Sequence, residues 1–136
     1  MTDERSHCVI HSDGAPRAIG PYSQAIAVGD WVYTAGMLGL DPATGELVDG
    51  GVREQARRAL ESMKAVLAAA GCTMQDVVKA TIYVVDLGDY KTVNELWAEY
   101  FAERPPARSA VQVSALPRGG LIEFDVVAHR STGHGG

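Results

Sequence analysis

The stretch "VREQARRALESMKAVLAAAGCTMQDVVKATIYVV", residues 52–85, decides the fold because it runs from a helix directly into a strand. Apolar residues recur in its first part at three- and four-residue spacing, which is the spacing of one helix face, and Gly71 ends the run. Its last part, residues 77–85, predicts a strand. A helix followed closely by a strand predicts helices packed on a sheet.

Two strands precede that stretch. Residues 22–28 and 31–36 are short apolar segments separated by Gly29 and Asp30, which predict a two-residue hairpin turn. The segment "LDPATGELVDGG" that follows is rich in turn residues and predicts a loop leading into the helix.

A second helix and two strands follow the stretch. The helix is expected to begin near Asp89 and to end before the two prolines at 105–106. Strands are predicted at 107–114 and 121–129, and the intervening "ALPRGG" predicts a hairpin loop between them. The apolar stripe of the second helix consists of Val93, Leu96, Trp97, Tyr100 and Phe101.

The predicted order is therefore β-β-α-β-α-β-β, an α+β fold with one mixed sheet and both helices on one face. The other face of that sheet carries more apolar and aromatic side chains than water-exposed faces usually do. We expect this face to be buried between subunits, although a one-sided sheet that tolerates exposed aromatics is the alternative. The side chains concerned are Trp31, Tyr33, Tyr83, Val85 and Val127.

Composition indicates one folded domain. The chain has 136 residues, of which 46% are hydrophobic and 21% charged. Its net charge of −5 and scattered basic residues argue against a nucleic-acid partner, which requires a local excess of Lys and Arg. We predict a polar, flexible leader at residues 1–14, a single domain at 15–130 and a flexible tail at 131–136.

The cellular compartment and cofactor requirement are inferred from missing motifs. The opening "MTDERSH" lacks the apolar segment of a signal peptide, and no apolar run approaches membrane-spanning length. These features predict a cytoplasmic protein with no membrane partner. The sequence contains no phosphate-binding loop, dinucleotide fingerprint or Cys/His metal pattern, so neither a cofactor nor a metal is expected.

The stretch "PPARSAVQV" contains Arg108, the first candidate for a functional side chain. Strand alternation places Arg108, Ala110 and Gln112 on the face away from the core. Matching the apolar faces of the last two strands then places Arg108 beside Glu123 and Asp125. A guanidinium binds a carboxylate through two parallel hydrogen bonds, and a nearby carboxylate can move a proton. An interfacial Arg–Glu ion pair is the competing interpretation.

Three further positions are candidates for lining a pocket. Tyr22 follows Gly20 and Pro21 in "AIGPYSQAI", and its phenol is placed at a strand start. Gly36 in "TAGMLGL" indicates either close backbone approach or a bulge. Asn94 is a polar residue early in the second helix. Each has an ordinary structural explanation as well, so none by itself predicts a site.

Taken together, five segments resemble the RidA family, also called YjgF or endoribonuclease L-PSP. The resemblance runs from about residue 15 to residue 130 with the segments in order. Its most specific parts are "GPYSQ", "PPARS" and "IEFDVVA". The segments are "AIGPYSQAI", "TAGMLGLDPATGELV", "EQARRALESMKAVLAAAG", "VVKATIYVVDLGDYKTVNELWAEYF" and "PPARSAVQVSALPRGGLIEFDVVA".

The resemblance implies a chorismate-mutase-like fold and a homotrimer with clefts between subunits. It also implies hydrolysis of reactive enamines and imines, such as 2-aminoacrylate, to 2-keto acids and ammonia without a cofactor. By resemblance, Arg108 binds the substrate carboxylate, Glu123 holds the water, and Tyr22 and Asn94 line the pocket.

Three positions depart from the common pattern of the family. Ala35 stands where many members have Ser, Met37 where Gln is frequent, and Ala110 where Cys is frequent. We expect Ala35, Gly36 and Ala110 to belong to the substrate-binding wall, which is more apolar here than in those members. Three alternatives stay open: a deaminase for one pathway intermediate such as 2-aminomuconate, an RNA-acting translation inhibitor, and a ligand-binding trimer without turnover.

Overall fold

Two helices pack on one face of a seven-stranded sheet in the computed structural model, which describes residues 7–131. Helix α1 spans Val52–Ala69 and helix α2 spans Tyr90–Tyr100. Gly71 follows α1 with φ of 81°, a left-handed conformation that glycine adopts without strain, and so ends the helix. The strands are β1 (Cys8–Ile10), β2 (Ala25–Val28), β3 (Trp31–Thr34), β4 (Met37–Leu38), β5 (Val77–Val84), β6 (Ala107–Gln112) and β7 (Ile122–His129).

The predicted fold class is confirmed: the sheet is mixed, and every predicted helix and strand is present. The strand order is β1-β2-β3-β7-β5-β6, and β4 also pairs with β7. Among the strands of residues 7–131, only β5 and β6 run parallel to each other. The turn at Gly29 and Asp30 joins β2 to β3 as expected, since Val28 lies opposite Trp31.

The predicted hairpin between the last two strands is wrong. Both β6 and β7 pair with β5, which lies between them. The loop "ALPRGG" therefore crosses over β5 instead of turning back on its own strand, and β6 becomes an edge of the sheet. Strand alternation cannot distinguish these two arrangements, because it gives the faces of each strand and not its neighbour.

Two short strands were not predicted. Strand β1 lies inside the segment assigned to the leader and pairs in antiparallel fashion with β2, with Val9 opposite Ile26. Strand β4 continues the path of β3 after a break at Ala35 and Gly36. Residues 1–6 of the predicted leader and the predicted tail beyond Ser131 lie outside the described residues.

The core lies between the helices and the sheet. Leu60, Met63 and Leu67 of α1 are almost completely buried, as are Ile82 and Phe124 on the facing strands. Burial of each such side chain contributes about 1.5–3 kcal/mol. The core thus fixes β5 and β7, the two longest strands, against the helices.

The opposite face of the sheet is exposed in the single chain. Trp31 and Tyr33 retain 43% and 48% of their accessible surface, and Val111 retains 40%. Trp31 packs edge-on against His129, with ring centroids 4.6 Å apart. Within residues 7–131 no helix is long and apolar enough to cross a membrane.

Candidate active site

A cavity of about 620 Å³ opens beside β4, between the segment before β2 and the loop after β4. Four of the predicted site residues line it: Tyr22, Ala35, Gly36 and Glu123. Much of the remaining wall is apolar and includes Met37. This size suits a small organic ligand, since ligand pockets usually enclose about 300–1,000 Å³.

A break in the sheet creates the space around Glu123. Strands β3 and β4 both pair with β7, but the chain leaves the ladder at Ala35 and Gly36. The hydroxyl of Thr34 accepts a hydrogen bond from the Val126 N–H at 3.0 Å and so satisfies a donor near the break. Gly36 was predicted to mark close approach or a bulge, and it lies in this break in close contact with the Glu123 side chain.

The carboxylate of Glu123 occupies the space that a side chain on Gly36 would need. A Cβ built on Gly36 would overlap the carboxylate oxygen and lie 2.6 Å from the Cδ of Glu123. The absence of a side chain at Gly36 is therefore what lets this carboxylate lie in the cavity wall.

Glu123 is an unusual carboxylic acid in this environment. Its burial, and secondly the negative charge of Asp125 two residues along the same strand face, raise its pKa above the ordinary value. Asp125 is held in place by the Tyr83 hydroxyl, which donates to its Oδ2 at 2.9 Å. A carboxylate whose pKa is raised is a stronger proton acceptor when ionised, as general-base catalysis requires.

Replacing Asp125 with Asn is expected to lower the pKa of Glu123, because a nearby negative charge that opposes ionisation is removed. NMR titration of ¹³C-labelled Glu side chains would measure this pKa in the wild type and the variant. Asp49→Asn, in an exposed loop, is the control and should leave the titration of Glu123 unchanged. An unchanged or higher pKa in Asp125→Asn would show that Asp125 does not act on Glu123.

Arg108 lies on the opposite face of the sheet from Glu123, which contradicts the predicted shared face. Arg108 pairs with Ala80 and Ala110 with Ile82, and both partners point into the core beneath the helices. Glu123 instead pairs with Tyr83 on the uncovered face. The prediction failed because the face with Ala, Ser and Val is the more apolar one but is not the core face of this edge strand, so hydrophobicity does not identify its core side.

Helix α2 holds the Arg108 side chain at the edge of the sheet. An Nη of Arg108 donates to the Tyr90 hydroxyl at 2.6 Å, and its guanidinium carbon lies 5.4 Å from the ring centroids of both Tyr90 and Trp97. Within residues 7–131 no carboxylate pairs with Arg108. The guanidinium is thus oriented by aromatic groups and keeps donors available for an anion.

Asn94 lies beside Arg108, in a shallow groove between α2 and β6. Tyr90, Asn94 and Trp97 are spaced four and three residues apart, so they share the face of α2 that borders β6. Ala110 lines neither this groove nor the cavity at Glu123 and packs partly against the core. The predicted site residues therefore form two separate groups in one chain.

Four functional candidates escaped the sequence analysis. Tyr90 was detectable from its spacing to Asn94 and Trp97 on one helix face. Gln24, in the segment "GPYSQ", is buried and binds the backbone of the preceding loop. Arg17 and Arg118 line the cavity at Glu123. Both arginines lie in irregular segments without periodicity, so no pattern indicated their direction.

The fold and the cavity define a class of small α+β proteins with a ligand-sized site beside a broken strand. A family model described as "Endoribonuclease L-PSP" matches residues 12–130. The chain belongs to this family, the RidA family, and the resemblance noted from its motifs is confirmed.

Relatives in this family carry different names. The human "2-iminobutanoate/2-iminopropanoate deaminase" is 50% identical over 120 residues, covering 88% of each chain. "Protein DfrA" of Myxococcus xanthus is 54% identical over 121 residues, covering 88% of this chain and 92% of the relative. The crystal structure of RidA from an Antarctic Psychrobacter has a TM-score of 0.87 and 44% identity, covering 90% of this chain and 98% of that one.

Proposed function

We propose that this protein hydrolyses 2-imino and 2-enamino acids to 2-keto acids and ammonia without a cofactor. The observation that carries the proposal is Glu123, a partly buried carboxylate with a raised pKa in the wall of a ligand-sized cavity. The names of relatives support the same reaction, since the human and bovine proteins, 50% and 49% identical, are called 2-iminobutanoate/2-iminopropanoate deaminase.

The substrate is anchored by its carboxylate in this proposal. Arg108 binds the carboxylate through two parallel hydrogen bonds, while the Tyr90 hydroxyl and the Trp97 ring hold the guanidinium in position. The carboxylate takes no part in the bond changes, so this contact positions the reacting carbon without interfering with it. Tyr22, Ala35, Gly36 and Asn94 form the surrounding wall.

Glu123 acts on water. Its carboxylate accepts a proton from a water molecule as the oxygen adds to the carbon of the protonated imine, which gives a neutral tetrahedral amino alcohol. Glu123 then donates this proton to the nitrogen. As the C–N bond breaks, the hydroxyl group passes its proton to Glu123, so that ammonia leaves and the carbonyl of the 2-keto acid forms, and the leaving ammonia takes up the proton from Glu123. Acid–base assistance of this kind contributes about 10²–10⁴-fold, which suffices for a reaction that already proceeds in water.

Two subunits are required to bring these groups together. Arg108 and Glu123 point to opposite faces of the sheet and stand two strands and three residues apart, which is about 14 Å between Cα atoms. A substrate of three or four carbons cannot contact both in one chain. We therefore propose a homotrimer whose clefts each take Arg108 and Asn94 from one subunit and the Glu123 cavity from its neighbour.

Exposed aromatics support this assembly. Trp31 and Tyr33 retain almost half of their accessible surface on the uncovered sheet face, where contact with another subunit would remove it from water. Sedimentation at micromolar concentration is expected to give a trimer, and a monomer would contradict the shared cleft.

The reaction is tested by a coupled assay. A serine dehydratase generates 2-aminoacrylate, semicarbazide traps the imine that remains, and the yield of free keto acid is compared with and without the protein. We expect the protein to increase keto-acid release over the rate in buffer. Equal release with wild type, Arg108→Ala and no protein would contradict the proposed reaction.

Mixing two inactive variants tests the shared cleft. Arg108→Ala and Glu123→Gln chains, unfolded and refolded together in equal amounts, should form mixed trimers. A cleft is complete when its arginine comes from a Glu123→Gln chain and its glutamate comes from an Arg108→Ala chain. Random mixing gives this combination in about one quarter of the clefts, which should regain activity. Each variant refolded alone is the control and should stay inactive. No recovery of activity in the mixture would contradict a cleft that takes Arg108 and Glu123 from different subunits.

A further inference from the structure

We propose that Arg17 and Arg118 bind a second acidic group on the substrate, so that the site prefers 2-imino acids with an acidic side chain. This inference rests on the proposed function, because it extends the same cavity away from Glu123. The carboxylate next to the imine is assigned to Arg108 of the neighbouring subunit. Arg17 and Arg118 are therefore available for the other end of the molecule.

The charges of the cavity favour an anion. Its charged lining residues are Arg17, Arg118 and Glu123, and its other lining residues are neutral. In the described part of the chain neither arginine forms an ion pair. In a chain with net charge −5, two cations without carboxylate partners at one cavity form a local positive region.

Buried glutamines hold the segments that carry both arginines. The amide nitrogen of Gln24, which is 4% exposed, donates to the Pro16 carbonyl at 2.9 Å, next to Arg17. The side-chain oxygen of Gln55, which is 6% exposed, accepts from the Leu121 N–H at 2.8 Å, just after the turn that carries Arg118. The backbone beneath each arginine is thus anchored to the core.

The backbone at Arg118 is a second sign of a specific role. Arg118 has φ of 60°, in the left-handed region that residues other than glycine rarely adopt. Two glycines, Gly119 and Gly120, follow it directly and would adopt that conformation without strain. Strained residues of this kind are concentrated at ligand-binding positions, and Arg118 is one of the residues that line the cavity.

The volume of the cavity agrees with a longer substrate. About 620 Å³ lies within the range that encloses drug-sized ligands, and a three- or four-carbon acid fills only part of it. The wall near Glu123 contains the apolar side chains of Met37, Leu38 and Leu40. A methylene chain along this wall would carry an acidic group toward the arginines.

A comparison of a neutral imine with an acidic imine tests this preference separately from the deaminase reaction. Amino-acid oxidases generate one imine from a neutral amino acid and one from an acidic amino acid, and kcat/KM is measured for each. We expect the wild type to prefer the acidic imine by about tenfold or more, since only that imine offers a second charged group to the arginines. Arg17→Gln and Arg118→Gln should each lower kcat/KM for the acidic imine roughly 3- to 10-fold more than kcat/KM for the neutral imine.

Two further variants control the experiment. Lys64→Gln removes an exposed positive charge on α1, outside the cavity, and should change neither rate. Arg118→Gly removes the side chain while relieving the backbone strain, so it tests the guanidinium even if Arg118→Gln folds poorly. Calorimetry with a 2-keto dicarboxylate, the product of an acidic imine, measures binding without turnover.

The outcomes distinguish this inference from the proposed function. A wild type that hydrolyses both imines equally, with Arg17 and Arg118 variants that behave alike on both, overturns the inference and leaves the deaminase activity intact. If the wild type hydrolyses neither imine, the proposed function fails and calorimetry decides the inference. Binding of the keto dicarboxylate that weakens in the arginine variants supports it, and unchanged binding overturns it.

Discussion

Arg108→Ala is expected to lower kcat/KM for a 2-imino acid by about 10²–10³-fold. The variant loses a bidentate, charge-assisted contact with the substrate carboxylate, and removal of one partner from such a pair costs about 2–5 kcal/mol. Because the contact forms with substrate and transition state alike, much of the loss should be seen in KM. Steady-state kinetics with an imine generated in the assay measures both constants.

Two matched variants make the Arg108 result specific. Arg108→Lys keeps the positive charge but not the planar pair of donors, so it should recover only part of the activity. Arg53→Ala removes an exposed arginine on α1, 3.8 Å from Glu99, and should leave kcat/KM near the wild-type value. Unchanged kinetics in Arg108→Ala would exclude the anchoring role and leave Arg108 as a residue that packs on α2.

Glu123→Gln is expected to lower kcat by about 10²–10⁴-fold, with little change in the binding of a 2-keto acid. Glutamine has nearly the same shape but cannot accept a proton from water, so the loss falls on the chemical step. Glu95→Gln on the exposed side of α2 is the matched control and should retain full activity. If binding weakened while kcat persisted, Glu123 would be a structural or binding residue.

The same substitution should also change stability in a pH-dependent way. The pKa of Glu123 is raised in the folded protein, so its contribution to stability is present at low pH and is lost as the pH rises through that raised pKa. At neutral pH, Glu123→Gln is therefore expected to raise Tm, and the difference should vanish below about pH 4, where glutamate is protonated in both states. A lower Tm at neutral pH would show that the ionised group is stabilising.

Sequence periodicity predicted the helices and the long strands correctly, but it did not predict the neighbour or the core side of the edge strand β6. The apolar stripe of α1 and the long strand β5 are unambiguous, because each buries many large side chains on one face. Strand β6 is short, lies at the sheet edge and alternates small residues on both faces. Its neighbour is set by the parallel pairing with β5, and Arg108 contacts Tyr90 and Trp97 of α2. Neither contact is encoded locally, so the face of Arg108 was predicted wrongly.

The residues of the candidate site were likewise predicted only in part. Tyr22, Ala35, Gly36 and Glu123 were named from the sequence and share one cavity. Their proximity follows from the pairing of β4 with β7, a contact between segments about 85 residues apart in the chain that no local pattern encodes. Arg17 and Arg118 were missed because their direction depends on loops held by buried glutamines.

The overlap between a side chain at Gly36 and the carboxylate of Glu123 couples two positions far apart in the chain. In evolutionary terms, the codon for residue 36 is constrained for as long as residue 123 must present its carboxylate there. A lineage that loses the carboxylate at position 123 can accept larger residues at position 36. Among related sequences, a bulky residue at the position of Gly36 is therefore expected to mark proteins in which residue 123 no longer presents a carboxylate to this cavity.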